Sequence, residues 1–175
     1  MANYCYFQVK AVGSKDSLLK LKEYMDASYE YKEDEDGNWH ENCASDKHLF
    51  RIYETNTDSN CLEQIQDDTY AIYISGECAW SVDNCMFDGE YTDYNRWKNK
   101  VSISEFKGTT MPQLSEELNL KIEIYSEETG VGFMEHYLID NGEILIDDCV
   151  EYSEDYDEET DEYTPIGGIE WVDHI

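Results

Sequence analysis

The chain has 175 residues, with 41 Asp and Glu against 12 Lys and Arg, and a formal net charge of −29. Such a charge repels phosphate backbones and anionic lipid headgroups, which argues against direct nucleic-acid or membrane binding. A hydrophobic content of 41% and an aromatic content of 14% argue against disorder; they predict one folded domain over residues 1–152, with an acidic segment, 153–175, docking back on it.

In chain order, Cys5, Phe7, Val9 and Ala11 alternate with Tyr4, Tyr6, Gln8 and Lys10, which predicts a strand with one apolar face. Gly13 breaks it. Ser14 is placed as an N-cap, with Asp16 in the first turn and Leu18, Leu21 and Met25 at helical spacing. Residues 30–48 are polar and predict a long loop turning at Gly37. Strands are predicted over Leu49–Glu54 and Tyr70–Ser75. Residues 79–108 hold Trp80, Val82, Met86, Phe87 and Trp97 without a clean period. Thr110, Pro112, Leu114 and Leu118 predict a second helix, and Leu120–Glu127 a strand with Leu120, Ile122 and Ile124 facing inward.

Two alternating runs then flank Asn141-Gly142, a pair suited to a two-residue type I′ turn because both positions need positive φ. That predicts an antiparallel hairpin. Ile166, Ile169, Trp171 and Val172 predict that the last segment packs on the core. The whole order predicts an α+β fold: a ferredoxin-like β-α-β-β-α-β core, an extra antiparallel hairpin and an acidic C-terminal extension.

Motifs for chemistry are scarce. The chain lacks G-x-S-x-G, H-E-x-x-H and G-x-x-x-x-G-K, and Glu135 and His136, adjacent on a strand, point to opposite faces. Gly130-Val131-Gly132 reads as a turn. These features predict no enzyme and no cofactor. The six cysteines, at positions 5, 43, 61, 78, 85 and 149, include no C-x-x-C pair. The opening residues lack the basic and apolar regions of a secretory signal, so reduced thiols in a cytoplasm are expected. His40 and Cys43 lie three apart and Cys78 and Cys85 seven apart. A loose metal site and plain buried thiols both fit those spacings. Asp155, Asp157 and Glu159 resemble the start of a calcium loop, but the sixth position is not Gly and Ile166 occupies the twelfth.

The charge is unevenly placed. Lys121 is the last basic residue apart from histidine, and residues 122–175 hold 18 acids. Asp147, Asp148, Glu151, Glu154, Asp155, Asp157, Glu158, Glu159, Asp161 and Glu162 form the densest run, with Tyr152, Tyr156 and Tyr163 interleaved. The plain reading is a solvated charge block. The functional reading is nucleic-acid mimicry: on an extended chain, residues advance about 3.3 Å, near the ~3.4 Å between phosphates of one DNA strand. The tyrosines would stack where bases stack.

The segments MANYCYFQVKAVG, ISGECAWSVDNC and LSEELNLKIEIYSEETGVGFMEHYLIDNGEIL resemble the Api92-like, or YubB ferredoxin-like, proteins of phages, plasmids and integrative elements. The resemblance covers about three-fifths of the chain, centred on 1–25, 70–86 and 111–148. It implies a ferredoxin-like fold and a mobile-element origin, and brings no catalytic motif. Tyr4 replaces a more typical Trp, and the acid-rich end departs from the pattern. The combined expectation is a non-enzymatic inhibitor of anti-CRISPR or antirestriction type. It would act in the cytoplasm of a bacterial host on a basic nucleic-acid-binding protein, such as a CRISPR effector or restriction enzyme. The alternative is an acidic binding or regulatory module whose charge serves solubility alone.

Overall fold

The computed structural model describes residues 3–27, 29–43, 47–49, 51–56, 61–97, 100–157 and 162–175. Its elements run β1 (Tyr4–Gly13), α1 (Lys15–Met25), β2 (Tyr29–Glu33), β3 (Trp39–Cys43), β4 (Ile52–Asn56), β5 (Leu62–Gln66), β6 (Thr69–Ala79), a π-helical turn (Asp83–Phe87), β7 (Glu90–Trp97), β8 (Lys100–Lys107), α2 (Met111–Leu118), β9 (Lys121–Glu128), β10 (Phe133–Asp140), β11 (Glu143–Asp157) and β12 (Glu162–Gly167). The fold is α+β. Eight strands form one antiparallel sheet in the order β12-β11-β10-β9-β1-β6-β4, with β5 also pairing β6. A second sheet has the order β2-β3-β8-β7.

Local chemistry sets the helix ends. The Ser14 side chain accepts from the Ser17 N–H at 3.2 Å, capping α1. Thr110 and Gln113 form a reciprocal capping box at α2, with Pro112 in the first turn and Asn119 closing the helix at φ 51°. Asn141 and Gly142 take φ of 49° and 88°, the two positive values a type I′ hairpin turn requires. The Gly142 N–H also donates to Ser115 Oγ at 3.1 Å, which ties the β10–β11 turn to α2.

Both helices cover one sheet face. Cys5, Phe7, Val9 and Ala11 of β1 are buried there with Leu18, Leu21 and Met25 of α1, Leu114 of α2, and Ile122 and Ile124 of β9. Each such side chain, fully withdrawn from water, contributes roughly 1.5–3 kcal/mol for the larger aliphatics and Phe. The same face holds a buried carboxylate. Glu135 accepts from the Val82 N–H (2.8 Å), the Asp83 N–H (3.2 Å), Ser126 Oγ (2.6 Å) and Tyr137 Oη (3.4 Å), which anchors the π-helical turn to β9 and β10. His136 lies on the opposite face, as strand alternation requires.

The sheet is larger than the sequence predicts: eight strands, where the core plus one hairpin called for six. The polar stretch 30–48, expected as a loop, contains β2 and β3, and the unassigned stretch 79–108 contains the π-helical turn, β7 and β8. These strands form two local antiparallel hairpins, β2 with β3 around Gly37 and β7 with β8 across Trp97 and Lys100. A parallel contact between Trp39–Glu41 of β3 and Ser102–Ser104 of β8, some sixty positions apart, joins the two hairpins into one sheet.

Candidate functional site: an acidic ribbon and a histidine–carboxylate cluster

The acidic run forms a strand. Asp147, Asp148 and Glu151 lie where β11 pairs β10, and Glu154, Asp155 and Asp157 lie beyond Glu151, where β11 pairs β12. The residues Tyr152–Asp157 and Glu162–Gly167 thus form a two-stranded ribbon that outruns β10. Asp147, Asp148, Glu151, Glu154 and Asp155 are all exposed. Tyr152 is half-buried, Tyr156 is exposed, and Tyr163 is registered opposite Tyr156 as Glu162 is opposite Asp157. Glu158, Glu159 and Asp161 lie outside the described residues.

Pairing with β10 sorts these acids by face. Asp147 and Glu151 share the helix-covered face with Tyr137 and Phe133, while Asp148 shares the open face with His136. Consecutive carboxylates therefore alternate, and neighbours on one face stand two residues, or roughly 6.6 Å, apart. Phosphate-like spacing is reached only when both faces are counted. Exposed Val150, Tyr156 and Ile166 interrupt the charge with apolar surface.

A second feature, which no sequence motif marks, occupies the open face of the sheet. After β12 the chain turns at Gly167 and Gly168 and crosses β10, β9 and β1. Trp171 stacks on Tyr6 and Tyr125, with ring centroids 6.3 and 5.5 Å apart. Tyr125 Oη donates to the Val172 carbonyl (2.7 Å) and accepts from the Val172 N–H (3.2 Å). Asp173 pairs with Lys10 at 3.0 Å.

At the end of this crossing, Glu123, 2% exposed, meets two histidines. His136 Nε2 lies 2.9 Å and His174 Nδ1 2.5 Å from Glu123 Oε1, and the His174 N–H donates to Oε2 at 2.9 Å. His136 is fixed by the Tyr125 ring, stacked at 4.1 Å and 5°. Burial pushes the Glu123 carboxyl pKa up, but hydrogen bonds from His174 and His136 overcome it and hold the group below its ordinary value of 4.5. The cluster borders a cleft of about 610 Å³ whose lining includes Tyr6, Lys10, Tyr73, Tyr125 and Asp173. Lys10 sits 5.4 Å from the Tyr73 ring centroid.

Of the residues whose metal chemistry the sequence left open, Cys78 and Cys85 are buried thiols. Cys78 is registered opposite Cys5 on β1, and hydrogen bonds with Cys5 and Cys85, together with burial, raise its pKa well above the ordinary value. Neither histidine of the Glu123 cluster belongs to this thiol group. His40 and Cys43 fall on β3, where the described structure is confined to the backbone. No helix among the described residues is long and apolar enough to cross a membrane. No family model, curated protein or solved structure matches the chain.

Proposed function

We propose that the chain is a non-enzymatic inhibitor from a phage or other mobile element. It acts in the cytoplasm of a bacterial host on a nucleic-acid-handling defence protein, a CRISPR effector or a restriction enzyme. The mechanism is charge mimicry: the β11–β12 ribbon enters an Arg/Lys-lined groove and excludes nucleic acid. The observation that carries this reading is the ribbon itself, which presents exposed carboxylates beside exposed Tyr156 and Ile166. Carboxylates meet the basic groove while the apolar residues supply contact area, a combination that a surface built for solubility alone does not need. Because the acids alternate between faces, the partner grips the ribbon from both sides.

The scaffold supports the mobile-element origin. The order β9-β1-β6-β4, with α1 between β1 and β4 in the chain and α2 between β6 and β9, supports the ferredoxin-like core that the family resemblance implies.

Glu154, Asp155, Asp157 and Glu162 replaced together by Lys give the test. Tagged chain is used to capture partners from a host lysate, and each is assayed for nucleic-acid binding or cleavage with and without the chain. The expected result is inhibition by the natural chain, weakening steeply from low to moderate salt, and none by the four-lysine variant. Full inhibition by the variant removes the ribbon as the interface. A captured partner that does not handle nucleic acid favours the regulatory-module alternative.

A further inference from the structure

Three chain segments bring a carboxylate and two imidazoles together on the open face: Glu123 from β9, His136 from β10 and His174 from the C-terminal crossing. One ligand atom from each lies within 4.8 Å of the other two. We propose that Glu123, His136 and His174 bind a divalent ion of the zinc class, and that this ion fastens the C-terminal segment to the sheet.

The donor set is right for such an ion. Imidazole nitrogens and a carboxylate oxygen suit zinc and its neighbours, whereas calcium and magnesium take oxygen ligands alone. The exposed acids elsewhere on the chain supply oxygen and no imidazole, so selectivity separates this site from diffuse association with the ribbon. The site is also held in position before any ion arrives. Tyr125 stacks flat on His136, and the His174 N–H restrains Glu123 Oε2, which leaves Oε1 as the atom shared with both rings. Partners of this kind orient ligands at metal sites.

The required movement is small. Metal–ligand bonds of about 2.0–2.2 Å place tetrahedral ligand atoms roughly 3.3–3.5 Å apart, against 2.5 and 2.9 Å here. The His174 ring is the group that can turn away while its N–H stays on Glu123 Oε2: its side chain is 44% exposed, whereas His136 is fixed by stacking. Three protein ligands leave a fourth position for water. The net charge of −29 further concentrates cations near the surface.

The test uses the full chain after chelator treatment and dialysis, with Zn²⁺ alone as probe. Calorimetry is expected to find one zinc per chain that excess Ca²⁺ does not displace. His174→Ala, at an exposed position, should weaken binding by more than the roughly 10–100-fold that loss of an outer-shell partner gives. Hydrogen exchange supplies a second readout: Zn²⁺ should slow exchange at the Val172 and His174 amides in the natural chain and not in His174→Ala. Zinc uptake that calcium displaces, or uptake indifferent to His174→Ala, overturns the proposal, as does absence of uptake by a chain shown to be folded.

Discussion

His174 Nδ1 lies 2.5 Å from Glu123 Oε1, and the His174 N–H reaches the other oxygen of the same carboxylate at 2.9 Å. One buried acid thus holds both the backbone and the ring of a residue 51 positions away. The groups facing it are His136 from β10, Tyr125 from β9, Lys10 from β1, and Asp173 and His174 from the crossing segment. Because the folded pKa of Glu123 is depressed, its stabilisation is fully present above the unfolded value of 4.5 and is lost as pH falls through the lower folded value. The Trp171 indole resonance should therefore move in acid. Glu123→Gln should remove that transition and lower stability at neutral pH by about 1–3 kcal/mol; an unchanged acid transition in the variant counts against Glu123 as its source.

Gly168 has φ of 87°, and a Cβ there would stand 2.8 Å from Met134 Sδ. Gly168→Ala therefore combines a left-handed backbone penalty of about 1–2 kcal/mol with a clash against β10. Hydrogen exchange at the Val172 amide should accelerate in this variant, while the Asn141-Gly142 hairpin keeps its protection. Equal acceleration in both regions contradicts a separately docked segment.

Glu135 satisfies two backbone donors of the segment before and into the π-helical turn and two side-chain hydroxyls. Glu135→Ala orphans all four, three of them in buried surroundings. Denaturant unfolding should report a loss of at least about 2 kcal/mol, given 1–3 kcal/mol per uncompensated buried group. A loss below about 0.5 kcal/mol is outside the range these unmet donors allow.

Burial, then Asp147 and Asp88, raises the pKa of Asp83, so the ionised form of Asp83 is disfavoured in the folded chain. Asp147→Asn removes one of the opposing charges. At low salt the thermal midpoint should rise by about 1 °C, since an exposed charge interaction is worth a few tenths of a kcal/mol, and added salt should erase the gain. On the proposed function the same substitution weakens partner binding, which would make charge on β11 a stability cost retained for recognition.

Features with purely local causes were legible in the sequence. Ser14, the Thr110–Pro112 start of α2 and the Asn141-Gly142 turn each act within a few residues, and the structure places all of them as read. β2, β3, β7 and β8 were not: they pair as two local hairpins, but their acid-rich and polar sequences sustain no apolar period, and the contact of Trp39 with Ser102 that joins the hairpins depends on a distant partner. The Glu123 cluster was missed for a related reason. Strand alternation already put His136 opposite to Glu135, but only the register, with His136 facing Tyr125 and Leu138 facing Glu123, makes Glu123 and His136 diagonal neighbours. The return of His174 had no sequence signal beyond the apolar residues at Ile169, Trp171 and Val172. Strand formation also changed the meaning of the acidic run: carboxylates consecutive in sequence are divided between two faces.

The most direct test of charge mimicry is competition. A labelled nucleic acid bound to the captured host protein is titrated with the chain, and release is followed by fluorescence anisotropy. The natural chain should displace the nucleic acid completely, with an affinity that falls as salt rises, and the variant with Lys at Glu154, Asp155, Asp157 and Glu162 should not displace it. A stable ternary complex, or equal displacement by the four-lysine variant, would contradict the account.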